Sequence, residues 1–418
     1  MLNFRQVLGA VAVAMEMATV VAVAGLVVGC DSGSHSDLTS DTPNTSAGTG
    51  GTPGSAGSAS AQAGSNAAGG SAGSSTTATD SLAAKYKDVF PIGAAIGNDH
   101  LNALEDVIAQ DFNHLTAENA MKAEDIHGSA EGFYWSDADR IADFARQHGM
   151  KMTGHALLWH QRTPEWMFEG AVAGDAASLE PVKERLKAHI EAMVERYDDV
   201  VDNWDVVNEV ISDDPSKQYR DGSEGSKWHE LFGGPDYIYW AFKYAKDALD
   251  AKSTSVGKLY YNEYTSTKKA DRILKMLAWL KDEKGLQIDG VGFQGHENIN
   301  WPSVGELQVA FDKFRAAGYK IKVSELDVSV YDDYSTGSFV ASPGVELSAE
   351  LEAKQAKRFG DLFAVYRKNK DIMTSVTFWG VSDDMTWLDT TVPGRSDHPL
   401  LYNDQHMPKA ARAAIMDF

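Results

Sequence analysis

From residue 81 to the end of the chain, short apolar and β-branched runs alternate with amphipathic helical stretches, and this alternation narrows the fold more than any other feature. Eight strand candidates stand out: 89–97 (VFPIGAAIG), 112–118 (FNHLTAE), 151–159 (KMTGHALLW), 200–209 (VVDNWDVVNE), 258–264 (KLYYNEY), 288–296 (IDGVGFQGH), 320–328 (KIKVSELDV) and 373–381 (MTSVTFWGV). Helices fit between most of them. Residues 136–149 read as a helix with Ser136 as its N-cap, and Leu186, Ile190, Met193 and Tyr197 repeat at helical spacing. Eight βα units predict an α/β fold, a (β/α)8 TIM barrel, with a doubly wound open sheet as the alternative.

A barrel makes a demand on the polar residues, because its active site lies at the carboxyl ends of the strands. Glu118 and Asn119 end the second strand candidate, His155 and Trp159 the third, Asn208 and Glu209 the fourth and Tyr264 the fifth. Gln294 and His296 end the sixth, Glu325 lies in the seventh and Trp379 in the eighth. Singly, a His or Gln at such a place is most simply a satisfied structural group. Seven strands agreeing points instead to one polar cleft.

Within that set Glu209 and Glu325 carry the chemistry. A buried strand end is an expensive place for a charge, and two carboxylates facing each other across a cleft can hydrolyse a glycosidic bond. One protonates the leaving oxygen while the other attacks or activates water, which requires their pKa values to be pushed apart. Taken singly, each Glu also fits a buried ion pair with a Lys or Arg of the barrel.

Five ordered segments carry a resemblance: GHALLWH (154–160), WDVVNE (204–209), DGVGFQGH (289–296), SELDVSV (324–330) and TFWGVSDDMTWL (377–388). Together with FNHLTAENAMK (112–122) and GRSDHPLLYN (394–403), they make residues 81–418 resemble glycoside hydrolase family 10, the endo-β-1,4-xylanases. The resemblance implies endo-hydrolysis of xylan by a retaining double displacement, with Glu209 as acid/base, Glu325 as nucleophile and the two carboxyls roughly 5 Å apart. It further implies that Glu118, Asn119 and Lys122 bind glycone hydroxyls, and that His155, Trp159, Asn208, Gln294 and His296 surround the reacting sugar. Trp379 and Trp387 would form the apolar floor and wall, with Tyr264 toward the aglycone. Sugar faces stack on aromatic rings while Lys, Asn and Gln read hydroxyls, which fits this division. A cellulase or exo-acting β-glycosidase on the same barrel, or a surface carbohydrate-binding protein without catalysis, remain as alternatives.

Three departures from the family pattern stand out. Arg162 stands where the family usually has Gln, and puts a new cation near the glycone side. SELD replaces TELD, and NEYT (262–265) replaces NDYN.

The N-terminus reads differently. Arg5 followed by the apolar run 17–29 (MATVVAVAGLVVG) has the form of an export signal, interrupted by Glu16 and too short for the roughly 20 residues a membrane helix needs. LVVGC resembles a bacterial lipobox, which makes Cys30 a lipidation site and residues 1–29 a lipoprotein-type signal peptide; a plain secretory signal is the alternative. Cys30 is the sole cysteine, so no intramolecular disulfide framework is available. Residues 30–80 are almost entirely small and polar, too poor in apolar surface to offset ordering entropy, and read as a flexible tether to a catalytic domain at 81–418. The chain is therefore expected to be exported and lipid-anchored to the cell envelope or surface, otherwise secreted, and monomeric.

No cofactor is expected. There is no HExxH or HxH spacing for a catalytic metal and no Gly-rich phosphate cradle. Residues 1–80 hold one Arg and five acids, which leaves −18 of the formal −22 on the remainder and argues against nucleic acid or an anionic membrane surface as partner.

Overall fold

The structure, a computed structural model, describes residues 80–252, 255–332, 345–391 and 394–418. The signal-type segment 1–29, the lipidation candidate Cys30 and the tether up to residue 79 lie outside the described residues.

Among the described residues nine parallel strands are present: β1 (Ile92–Ile96), β2 (His114–Ala117), β3 (Lys151–Trp159), β4 (Val201–Asn208), β5 (Lys258–Glu263), β6 (Gly290–Phe293), β7 (His296–Asn298), β8 (Lys320–Ser329) and β9 (Met373–Phe378). Each of β1 to β5 pairs with the next, β5 with β6, β6 with β8, β8 with β9, and β9 returns to β1, so eight strands close into a barrel. The open-sheet alternative is thereby set aside. Strands covered on both faces read as continuous apolar runs, as in β1, whose five residues are all buried.

Eight helices separate and cover the strands: α1 (Asn98–Asp111), α2 (Ser136–Gln147), α3 (Glu180–Tyr197), α4 (Asp236–Asp250), α5 (Ser266–Ala278), α6 (Val304–Ala316), α7 (Ala349–Lys368) and α8 (Ala410–Met416). Leu186, Ile190, Met193 and Tyr197 of α3 are all buried, as their spacing predicts, and each such side chain contributes about 2 kcal/mol of apolar burial. The first described helix, Leu82–Tyr86, is capped by the Ser81 side chain. It is tied to the end of the chain through Asp111, which accepts from Leu82 N at 3.2 Å, Arg412 Nε at 2.6 Å and the Tyr402 hydroxyl at 2.5 Å. Among the described residues no helix is long and apolar enough to cross a membrane.

Three expectations need correction. The first strand begins at Ile92 rather than 89, because Phe90 still bonds back to Tyr86 and Pro91 has no N–H to give a ladder. The sixth candidate splits in two: Gly295, at φ 81°, turns the chain after Gln294, and β7 pairs with β8 alone. Ser136 is the first residue of α2 and not its cap. Trp135 occupies that position, and its carbonyl already accepts from Asp139 N at 2.8 Å.

Candidate active site

The expected residues gather at the carboxyl ends of the strands, and two strands use the same device to bring them there. Along a regular strand, side chains alternate between lumen and helix layer. In β8, Lys322 and Ser324 reach lumen partners on β4 and β5, whereas Ile321 and Val323 join the apolar core. Beyond Ser324 the parity switches: Glu325 and Asp327 are turned to polar partners, and Leu326 and Val328 are core residues. A register shift between Val323 and Leu326 against β9 supplies the extra residue. In β4 a shift between Asp205 and Val207 precedes Asn208. Glu209 then takes a left-handed conformation, φ 57°, so that two successive side chains reach the same partner. A non-glycine residue there costs on the order of 1 kcal/mol, which the surrounding bonds offset.

Those bonds define Glu209. Its carboxylate accepts from Trp159 Nε1 at 2.9 Å, Gln294 Nε2 at 2.9 Å and Asn208 Nδ2 at 3.3 Å, and the residue is 9% exposed. Glu325 accepts from Asn262 Nδ2 at 2.6 Å and meets His296 Nε2 at 3.2 Å. Asn262 Nδ2 also donates to Asn208 Oδ1 at 3.0 Å, so side-chain amides alone link the two carboxylates. Among the described residues neither Glu pairs with a Lys or Arg. The buried ion pairs of the barrel fall elsewhere, on Asp205 with Lys322 and on Glu263 with Lys269.

The electrostatics of the two differ. His296 stands between Glu325 and Asp327, with its Nδ1 2.7 Å from Asp327 Oδ2. Burial alone pulls the imidazole pKa down, but the charge and hydrogen bond of Asp327, aided by Glu325, raise it to about 10. His296 is therefore an imidazolium that donates from both nitrogens. Burial pushes the Glu325 carboxyl up. The His296 hydrogen bond, the fields of His155 and His296, and donation from Asn262 outweigh this and hold it below the usual glutamate range. Replacing His296 by Gln keeps a neutral donor near Glu325 and removes the charge. The acid limb of kcat/KM, which reports ionisation of the free enzyme, is expected to move to higher pH; an unmoved limb would assign that charge no role.

The remaining expected residues surround this pair. His155 Nδ1 lies 3.0 Å from Asp205 Oδ2, and its ring meets Trp379 edge-on at 5.4 Å. Trp387 donates from Nε1 to Asp327 at 2.9 Å and lies 4.9 Å from His296. Lys122 donates to Asn119 Oδ1 at 2.8 Å and sits over the rings of Trp159 and Trp379; burial lowers its pKa against the pull of Glu118 and Glu325. Glu118 accepts from Asn119 at 3.3 Å. Tyr264 is more constrained than expected. Its hydroxyl lies 2.6 Å from Asp213 Oδ1 and accepts from Arg220 at 2.5 Å, and the Lys269 ammonium lies 3.6 Å from its ring centre. Arg162 is no free cation, because Glu124 at 2.8 Å and Asp125 at 2.6 Å hold its guanidinium.

Two residues that orient the nucleophile escape a reading of the sequence. Asn262 lies in NEYT, where Tyr264 draws the attention. A signal for it exists in Gly292 of β6: a Cβ there would come within 2.2 Å of Asn262 Oδ1, so this glycine makes room for that amide. Asp327 lies within SELD, and its role depends on the parity switch. Away from the cleft, Asp383, His398 and Asp404 bring ligand-type atoms within 4.8 Å of one another, but the Lys409 ammonium, 2.8 Å from Asp383, already supplies the cation.

Comparison with known proteins bears on this geometry. The model of glycosyl hydrolase family 10 matches residues 81–418. An endo-1,4-beta-xylanase A of Caldicellulosiruptor saccharolyticus is 42% identical over 347 residues, covering 81% of this chain and 96% of that protein. An endo-1,4-beta-xylanase B of Paenibacillus barcinonensis is 39% identical over 337 residues, covering 80% and 97%. Among solved structures, an endo-1,4-beta-xylanase from Caldicellulosiruptor owensensis superposes with a TM-score of 0.73 at 38% identity, over 81% of this chain and 99% of that one.

Proposed function

The chain belongs to glycosyl hydrolase family 10, and from that premise we propose that it cuts the xylan backbone internally, with Glu325 as nucleophile and Glu209 as acid and base. The observation that carries the assignment is the unequal surroundings of the two carboxylates. Glu325 is bonded to the His296 imidazolium and is kept ionised, as a nucleophile must be. Among the described residues the Glu209 carboxylate accepts from neutral donors and makes no ion pair with a Lys or Arg.

In the first displacement Glu325 attacks the anomeric carbon while Glu209 gives its proton to the departing oxygen. Ester formation removes the charge on Glu325. Glu209, having given up its proton, is left as the base that takes a proton from water in the second displacement. The second displacement returns the original anomeric configuration. Trp159 Nε1 and Gln294 Nε2 hold Glu209 in place through both steps, and Asn262 holds Glu325.

Side-by-side assays on glucuronoxylan, arabinoxylan and carboxymethyl cellulose test the activity. Rapid loss of viscosity on the two xylans alone is expected. Equal loss on the cellulose derivative would make the enzyme a cellulase, and slow release of single sugars would make it exo-acting.

The same reading includes an anchor. Residues 1–29 act as a lipoprotein-type signal, Cys30 carries the lipid, and the Ser/Gly/Ala-rich tether to residue 80 holds a monomeric catalytic domain off the envelope. Support comes from LVVGC and from the composition of 30–80. Activity is expected to follow the membrane fraction and to become soluble in Cys30→Ser; soluble activity from both forms would remove the anchor. Protein starting at residue 81 is expected to keep its activity on soluble xylan.

A further inference from the structure

Glu209 reaches the lumen through a left-handed backbone at the end of β4, a conformation that a non-glycine residue keeps only where its surroundings hold it. Here every backbone N–H and C=O from the Glu209 nitrogen to the Ile211 nitrogen has a partner. Glu209 N–H donates to the Asn262 carbonyl at 3.0 Å, its own carbonyl accepts from Arg220 Nε at 3.2 Å, and the Val210 carbonyl accepts from Arg220 N at 2.8 Å. The two remaining N–H groups turn to one side chain. The Tyr261 hydroxyl accepts from Val210 N at 3.0 Å and from Ile211 N at 3.2 Å.

Tyr261 is fully buried, and its hydroxyl has no bonding capacity to spare. With both lone pairs taken by N–H groups, its single proton goes to Glu263 Oε2, which also accepts from Ile211 N at 3.2 Å. Glu263 Oε1 accepts from Lys269 Nζ at 2.9 Å and from Tyr264 N at 3.2 Å. Burial pushes the pKa of this carboxyl up, but these partners are all donors and Lys269 is charged, so it is held as a carboxylate. Glu263 stands where NDYN carries the shorter Asp, and the added methylene lets one carboxylate reach from Lys269 on α5 to the chain behind Glu209.

Through its alternation β5 serves both carboxylates of the site. Asn262 faces the lumen, where it bonds Glu325, whereas Tyr261 and Glu263 point to the opposite face and meet the chain that follows Glu209. Withdrawing that support would leave the bond from Asn262 to Glu325 in place. It would let the end of β4 relax from its left-handed turn and carry the Glu209 carboxyl away from the departing oxygen, and a displacement on the order of 1 Å is enough to slow a reaction severely.

We propose that Tyr261 and Glu263 are positioning residues for acid catalysis, which hold the chain behind Glu209 so that its carboxyl meets the glycosidic oxygen. The inference rests on the reading of Glu209 as the acid.

The test measures kcat/KM on aryl β-xylobiosides whose leaving groups run from dinitrophenol, which departs without a proton, to phenol, which needs one. On such substrates kcat/KM reports the steps up to the glycosyl-enzyme. Tyr261→Phe keeps the ring and withdraws the acceptor of Val210 N–H. Glu263→Gln keeps the size but turns an amide N–H toward a donor, while Lys269 retains Asp213 at 2.9 Å. Each variant is expected to lose about tenfold or more on the phenyl substrate and to stay within about twofold of the parent on the dinitrophenyl one, so that the dependence on leaving group steepens toward that of Glu209→Ala. Either variant decides if the other fails to fold. Equal losses on the two substrates, as a role in stability alone would give, or an unchanged phenyl value, would overturn the proposal while Glu209→Ala still discriminated between them. A Glu209→Ala variant that did not discriminate would overturn the acid reading, and the positioning role with it.

Discussion

Glu325→Ala is expected to lose turnover of xylan and of an activated aryl xyloside together, by on the order of 10⁵-fold, the scale seen when a covalent nucleophile is removed. Leaving-group ability cannot compensate, because the missing bond is the one that forms in the first displacement. Folding should survive: His296 keeps its 2.7 Å contact with Asp327, and Lys122 keeps the pull of Glu118 and its bond to Asn119. Azide admitted to the vacated space would attack the anomeric carbon directly and yield the glycosyl azide of inverted configuration. A variant that retained a few per cent of activity on the aryl substrate would put the nucleophile elsewhere.

Glu209→Ala should separate the two substrates. Xylan, whose leaving oxygen needs a proton, is expected to slow by about 10²- to 10⁴-fold, the usual range for loss of a general acid. An aryl xyloside with a good leaving group should still form the glycosyl-enzyme and then stall, because no base activates water. Azide needs no base and would release the intermediate as the azide of retained configuration. Equal loss on both substrates without azide rescue would make Glu209 a structural partner of Trp159 and Gln294 instead.

Much of this site is legible in the sequence because a barrel puts its chemistry where apolar strands end. Asn208 and Glu209 after a β-branched run, and Glu325 within SELDVSV, announce themselves in that way. Other parts are hidden by the same regularity. A period of two assigns Ser324 and Glu325 to opposite faces, and only the register shifts in β8 and β4 allow neighbouring side chains to share the lumen.

The sequence is equally silent on which carboxylates are neutralised. Asp205 and Glu263 obtain ammonium partners from Lys322 on β8 and Lys269 on α5, whereas Glu209 and Glu325 obtain amides, an indole and an imidazole. Nothing in the local spacing distinguishes the two pairs. Arg162 illustrates the converse, since a cation read as new to the glycone side is cancelled by Glu124 and Asp125, which lie on the short helix Ala123–Ile126.

The central claim is that Glu325 becomes covalently bound to the sugar while Glu209 does not. A 2-deoxy-2-fluoro aryl xylobioside forms the intermediate but hydrolyses slowly, because the fluorine destabilises the positively charged transition state of the second displacement. Intact mass spectrometry of the treated enzyme should show one added disaccharide, and peptide mapping should place it on the peptide containing Glu325. Label on the peptide containing Glu209, or time-dependent turnover with no adduct at all, would contradict the account.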